Sequence, residues 1–209
     1  MPSQSIVLST AYFAPAAYYA DLIHYPHVLI EQHEHFIKQS YRNRCEILGA
    51  NGKLSLSIPL QERKNKALTC DIRIDSKTPW QMQHWRAIES AYNSSPFFEY
   101  YQDDFLPFYQ KQFEFLIDFN HQLQEKMLEL IGCKVKIEYS KAYCEIIEGI
   151  QIDARNAYSP KQICKKQFPE YIQVFESKFP FHSNLSILDV LFNLGNESEI
   201  YLKSIASPE

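Results

Sequence analysis

The opening of the chain constrains its fold more than any other stretch. Ser5–Thr10 (SIVLST) is a short apolar run that predicts a buried strand. It leads into Ala11-Tyr-Phe-Ala-Pro15, where a proline suits the first turn of a helix running to Asp21 or His24. A second apolar run, His27–Glu31, predicts another strand. Strand, short helix, strand is the start of a βαβ unit, which pairs its strands in parallel and places the chain among α/β folds.

A hairpin follows this unit. Arg44–Leu48 and the alternating Leu54, Leu56 and Ile58 flank Asn51-Gly52, a strong turn signal. Cys70–Asp75 alternates again through Ile72 and Ile74 and predicts a further strand, after the polar loop Gln61–Lys66. Helices dominate thereafter. Thr78-Pro79 opens one with an apolar stripe at Met82, Trp85, Ile88 and Tyr92, and Ser95-Pro96 ends it. A longer stretch carries Tyr109, Phe113, Leu116, Asn120, Leu123, Met127 and Leu130, with a break expected near Asp118–Asn120 and a stop at Gly132. Lys134–Tyr139 predicts a strand, Ser140–Phe181 has no clear pattern, and Ser186-x-x-Asp189 opens a last helix that ends at Gly195. The expected architecture is one α/β domain: a mostly parallel or mixed sheet begun by β-α-β, an inserted hairpin, and a helix-rich C-terminal half.

Composition narrows the function. Five glycines in 209 residues leave no GxGxxG or GxxxxGK[ST], so any phosphate must be held by side chains or a helix N-terminus. A net charge of -4 argues against nucleic acid as the main partner. No apolar run is long enough for a membrane span, no signal peptide is evident, and heptads that would mark a coiled-coil dimer are missing. Five scattered cysteines without a CxxC pair suit free thiols in a reducing cytoplasm and provide no zinc spacing. Disorder is expected only at Met1–Gln4 and Ser204–Glu209.

The chemistry concentrates in Glu31–Cys45. Lys38, Arg42 and Arg44, with Asn43, are the residue types that grip a planar anion or a phosphate. If Arg42 and Arg44 continue into a strand, both point to one face; the alternative is a charged edge that discourages aggregation. His33 and His35 share a face if extended, but two ligands do not make a site, so no metal and no cofactor are expected. His33 is a candidate general base, or a turn residue bonded to a carboxylate.

His84 lies near the start of its helix, where the dipole favours neutral imidazole able to act as a base at pH 7. The alternative is a helix-flank histidine bonded to a backbone carbonyl. Asp75, at a strand end, either faces a ligand crevice or caps the next helix. Tyr12 ends the first strand in a comparable position, and Asn184 precedes the last helix as its cap, its neighbour or a ligand contact. Trp85 either packs in the core or offers a stacking face to a sugar or base. No Ser or Cys sits in a glycine-flanked elbow, so no hydrolase nucleophile is expected.

Several segments together resemble the WbqC-like protein family. They are Tyr12-Phe13-x-Pro15, Lys38-Gln-Ser-Tyr-Arg-Asn-Arg44, Leu54–Pro59, Ile74-Asp75, Trp80-x-x-x-His84-Trp85, Tyr92-x-x-x-Pro96-Phe97-Phe98 and Asn184-Leu-Ser. The pairing of K-x-x-x-RNR with W-x-x-x-HW is the specific part. The chain is most similar to the branch with His-Glu-His ahead of the basic segment, whereas branches found with O-antigen genes carry an Asp-Asp pair there. The resemblance implies one domain over residues 1–209, with a core of roughly 5–195 and a short C-terminal helical tail. It further implies a place in bacterial surface polysaccharide biosynthesis of the O-antigen type, with a sugar-modifying transferase role. The expectation is a cytoplasmic transferase that takes a small anionic substrate, an activated sugar or acyl donor. Lys38, Arg42, Asn43, Arg44, Tyr12, His35, Trp85 and Asn184 would bind it, and His84, His33 and Asp75 would do the chemistry. The competing reading is a non-catalytic module that binds an anionic sugar or a partner enzyme.

Overall fold

In the computed structural model, which describes residues 5–62 and 66–205, β1 (Ser5–Ser9) and β2 (His27–Glu31) flank α1 (Ala16–His24) and pair in parallel. Register runs from Ser5 opposite His27 to Ser9 opposite Glu31. Pro15 stands just before the helix with φ -65°, the value its ring imposes. Two further parallel strands complete the sheet, β5 (Ile137–Tyr139) on β2 and β6 (Gln151–Asp153) on β1, in the order β5-β2-β1-β6. Parallel sheets are covered on both faces, and Ile6, Val7 and Leu8 are at most 1% exposed.

β3 (Arg44–Gly49) and β4 (Gly52–Ser57) form the expected antiparallel hairpin. Ala50 and Asn51 make its turn, and Gly52 leaves the turn with φ +104°, which a side chain would disfavour. α2 (Trp80–Tyr92) starts directly after Pro79. Its buried residues are Trp80, His84, Ile88, Ala91 and Tyr92, while Met82 is 47% exposed. The helix is therefore rotated from the expected stripe, because its core face includes a histidine that an apolar pattern does not count.

α3 (Phe98–Gln110) and α4 (Leu116–Ile131) are separate helices, divided at residues 111–115 and not at Asp118–Asn120. The division is tertiary in origin. Arg73 bridges Phe115, Ile74 N–H donates to Glu114 O, and Leu116 N–H donates to Ile72 O, so an extended neighbour claims this backbone. That neighbour is the segment Cys70–Asp75, which is not a regular strand. It begins in a 3₁₀ turn (Thr69–Asp71) and then makes two isolated bridges, Leu60 with Ile74 and Arg73 with Phe115. Ile72 and Ile74 are buried as the alternation implies.

Gly132 closes α4 with φ +82°. α5 (Ile187–Leu194) is capped by Ser186, whose Oγ accepts from Leu188 N–H at 3.3 Å. Asp189 does not complete a capping box. Its buried carboxylate accepts from Tyr171 Oη at 2.6 Å and Gln173 Nε2 at 2.7 Å. α6 (Ser198–Ser204) packs with α5 against α1 and includes Ser204, at the edge of the expected disorder. Met1–Gln4, the middle of the Gln61–Lys66 loop and residues 206–209 lie outside the described residues. No helix among the described residues is long and apolar enough to cross a membrane.

Candidate functional site

All four strands of the sheet run the same way, so their carboxyl ends gather on one edge, where open α/β sheets place their ligand crevices. β2 lies on one side of β1 and β6 on the other, which makes the ends of β1 and β6 the point of reversal. The chain delivers polar residues there from every strand: Thr10 after β1, Glu31 at the end of β2, Ser140 after β5, and Asp153 and Arg155 from β6.

Glu31 is fully buried, and its two oxygens are both occupied. Oε1 accepts from Ser140 Oγ and His33 N–H, each at 2.7 Å, and Oε2 accepts from Cys144 N–H at 2.6 Å. Arg155 Nη1 stands 4.0 Å from Oε2 and donates to Cys144 O at 3.0 Å. The same guanidinium forks onto Asp153, with Nε at 2.8 Å and Nη2 at 2.6 Å. These bonds hold the Asp153 carboxyl below its ordinary range.

Arg42 is 2% exposed and bonds Glu34 Oε1 through Nε at 2.8 Å and Nη2 at 2.6 Å. Its Nη2 also reaches Arg155 O at 3.3 Å and Asn156 Oδ1 at 3.4 Å, across the loop after β6. Burial pushes the Glu34 carboxyl up, and the Arg42 charge opposes that shift. Three carboxylates thus face two guanidiniums, so this cluster has no surplus positive charge.

The other predicted residues lie outside this cluster. Lys38 is exposed and Arg44 half-buried, with Arg44 Nε donating to Ser57 Oγ, its cross-strand neighbour, at 3.0 Å. Asn43 Nδ2 donates to Ile58 O at 2.9 Å and ties down the hairpin end. His35 is exposed, with Nδ1 2.9 Å from Lys66 O. Asp75 accepts from Lys77 N–H at 3.0 Å and lines a cavity of about 570 Å³ with Gln61, Glu62 and Lys77. Asn184 caps α1 across the molecule, its Oδ1 accepting from Ala17 N–H at 2.9 Å, while Ser186 caps α5. Trp85 is half-buried against the rings of Phe98 and Tyr109.

His84 and Tyr12 meet in the core. Tyr12 Oη lies 3.0 Å from His84 Nδ1 and 2.8 Å from Tyr109 Oη. Burial lowers His84 to about 4, against a smaller opposing effect from the Ser57 backbone, so the ring is neutral at pH 7. Among the described residues, no hydrogen bond or ion pair joins His84, Asp75 or Asn184 to the Glu34–Arg42 pair.

Asp153 and Arg155 escaped the sequence reading because β6 is only three residues long, too short for alternation to show, and Ser140 because its partner Glu31 lies 109 positions away. Cys70 escaped it as well. Its Sγ lies 3.7 Å from His33 Nδ1, a pairing across 37 positions that no local spacing encodes. Among the described residues, no group of three or more His, Cys, Asp or Glu is arranged to hold a metal ion.

The chain is similar to the uncharacterized protein Rv1507c of Mycobacterium tuberculosis, at 22% identity over 230 residues, covering 96% of this chain and 98% of that protein. No solved structure matches it. The model of the WbqC-like protein family matches residues 10–164, a span that holds the whole basic segment, the W-x-x-x-HW helix, Thr10 and the ends of β2, β5 and β6, and the chain belongs to that family.

Proposed function

We propose that this protein is a transferase of bacterial surface polysaccharide assembly, acting in the cytoplasm on a phosphorylated or nucleotide-activated sugar or acyl donor at the carboxyl edge of the sheet. One observation carries this reading: Arg42 spans from the basic segment to the loop after β6, at the reversal of strand order. A buried guanidinium–carboxylate pair returns little net stability, since desolvation offsets its attraction. Its value here is to hold residues 31–44 in register against the strand ends. Lys38 and Arg44 lie on either side of Arg42 in the same segment and supply the charge that the neutralised cluster lacks.

In this scheme the donor's negative group meets Lys38 and Arg44, and side-chain cations offset charge that develops on the leaving group. His33, half-buried at the end of β2, takes the acceptor's proton. His84 acts through Tyr12 as a positioning residue, because its ring is 6% exposed. A thermal-shift screen against nucleotide sugars, acyl donors and amino acids tests the assignment. A hit is expected in the wild type and lost in Lys38→Ala and Arg44→Ala, whereas His33→Asn keeps binding and loses turnover. Unchanged affinity for every hit in both cation variants would refute the proposed site. A protein that binds a donor but shows no turnover is a binding module, and turnover that survives in His33→Asn would refute His33 as the base.

A further inference from the structure

The backbone clamps Cys70 and His33 together. Cys70 N–H donates to Gln32 O at 2.8 Å and Thr69 N–H to Glu34 O at 2.9 Å, so residue 33 is held between two cross-chain bonds. Thr69 Oγ1 adds a second bond to Glu34 O at 3.2 Å. On the other side, His33 N–H is tied to the buried Glu31 carboxylate. The 3.7 Å between Cys70 Sγ and His33 Nδ1 is a hydrogen-bonding distance for sulfur, and both side chains are half-buried, so a substrate can reach them. Cys45 and Cys133 are buried, and the Cys144 thiol faces the Glu145 carbonyl at 3.6 Å. Among the described residues, Cys70 is the cysteine with an imidazole partner.

Resting on the transferase reading, we propose that Cys70 is the nucleophile of a covalent acyl-transfer step, with His33 as its base, and that the donor is an activated acyl group. A thiol suits attack on a carbonyl carbon, whereas glycosyl transfer through a covalent intermediate ordinarily uses a carboxylate. Sγ attacks the acyl carbon, a C–S bond forms, and the bond to the leaving group breaks. The thiol proton passes to His33 Nδ1 and on to the leaving group. An acceptor amine or hydroxyl then attacks the Cys70 thioester and gives its proton to His33. Sγ departs as the thiolate and takes that proton back. Burial and the neighbouring Asp71 raise the Cys70 thiol, so it rests protonated and needs the imidazole to ionise it.

Full-length protein treated with p-nitrophenyl acetate, a generic active ester, tests this through peptide mass spectrometry and the release of nitrophenolate. The expected result is acetylation of Cys70 at least ~10-fold faster than Cys164, removable by hydroxylamine and absent in Cys70→Ser. His33→Asn should slow Cys70 acetylation by a similar factor and leave a pH–rate profile that follows the thiol alone, with an unchanged unfolding midpoint. Cys70 reacting no faster than Cys164, or keeping its rate in His33→Asn, overturns the inference. Donor binding that survives without Cys70 acylation would sink this step only. Cys70 acylation with no loss of binding in Lys38→Ala and Arg44→Ala would sink the anionic-donor reading only.

Discussion

Mild acid is expected to destabilise this protein through His84. Its ring is 6% exposed, bonded to Tyr12, and packed at 5.1 Å against the edge of Trp80. Tyr12 Oη has one proton to share between His84 Nδ1 and Tyr109 Oη, and a neutral ring with Nδ1 bare can accept it. Protonating Nδ1 removes that acceptor. The folded pKa, about 4, lies below the unfolded value of ~6.5, so the unfolded chain binds the proton more tightly. This contribution is complete above about pH 6.5 and is lost as the pH falls through 4. For a shift of this size the loss at pH 5 is about 2 kcal/mol and approaches about 3 kcal/mol below pH 4. His121, also lowered to about 4 by burial, acts with the same sign. Glu34 and Asp189, both raised by burial, act in the opposite sense. Comparison with His84→Asn therefore isolates the ring. Urea titrations followed by tryptophan fluorescence at pH 7 and pH 5 give the drop for each protein. The wild-type drop is expected to exceed that of His84→Asn by about 2 kcal/mol, whatever the variant loses at pH 7. Equal drops in the two proteins would refute the reasoning.

Three further outcomes are expected. Arg42→Met leaves Glu34 buried without its partner and costs about 3–5 kcal/mol, and adding Glu34→Leu recovers part of that loss in a double-mutant cycle; strict additivity would show the pair is not coupled. Gly195→Ala costs on the order of 3 kcal/mol, because φ is +54° and a Cβ would lie 2.6 Å from the Phe97 ring. Gly132→Ala, with φ +82° and nothing within 4 Å, costs about 1 kcal/mol, and denaturant titration reads the order of the two. Asn184→Ala removes the cap of α1 and costs about 1–2 kcal/mol without changing the affinity of any ligand found for the protein; a selective loss of binding would return Asn184 to the site.

Local signals settled much of the fold. The βαβ opening, the hairpin, the Ser186 cap and the stop at Gly132 each rest on a few neighbouring residues whose backbone preferences agree with their final state. Residue types in the basic segment were equally legible as a concentration of hydrogen-bonding groups, and the W-x-x-x-HW helix as the other half of a family signature. Tertiary contact decided what those residues do. Arg42 is neutralised by Glu34 and leans on the loop after β6, a strand of three residues that only pairing with β1 stabilises. Asn184 caps a helix 167 positions away, and Cys70 meets His33 across 37. The break between α3 and α4 exists because Arg73 and Ile74 bond the chain there. A charge or a thiol takes its role from the group that arrives beside it, and that neighbour is set by packing of the whole chain, not by periodicity within any one segment.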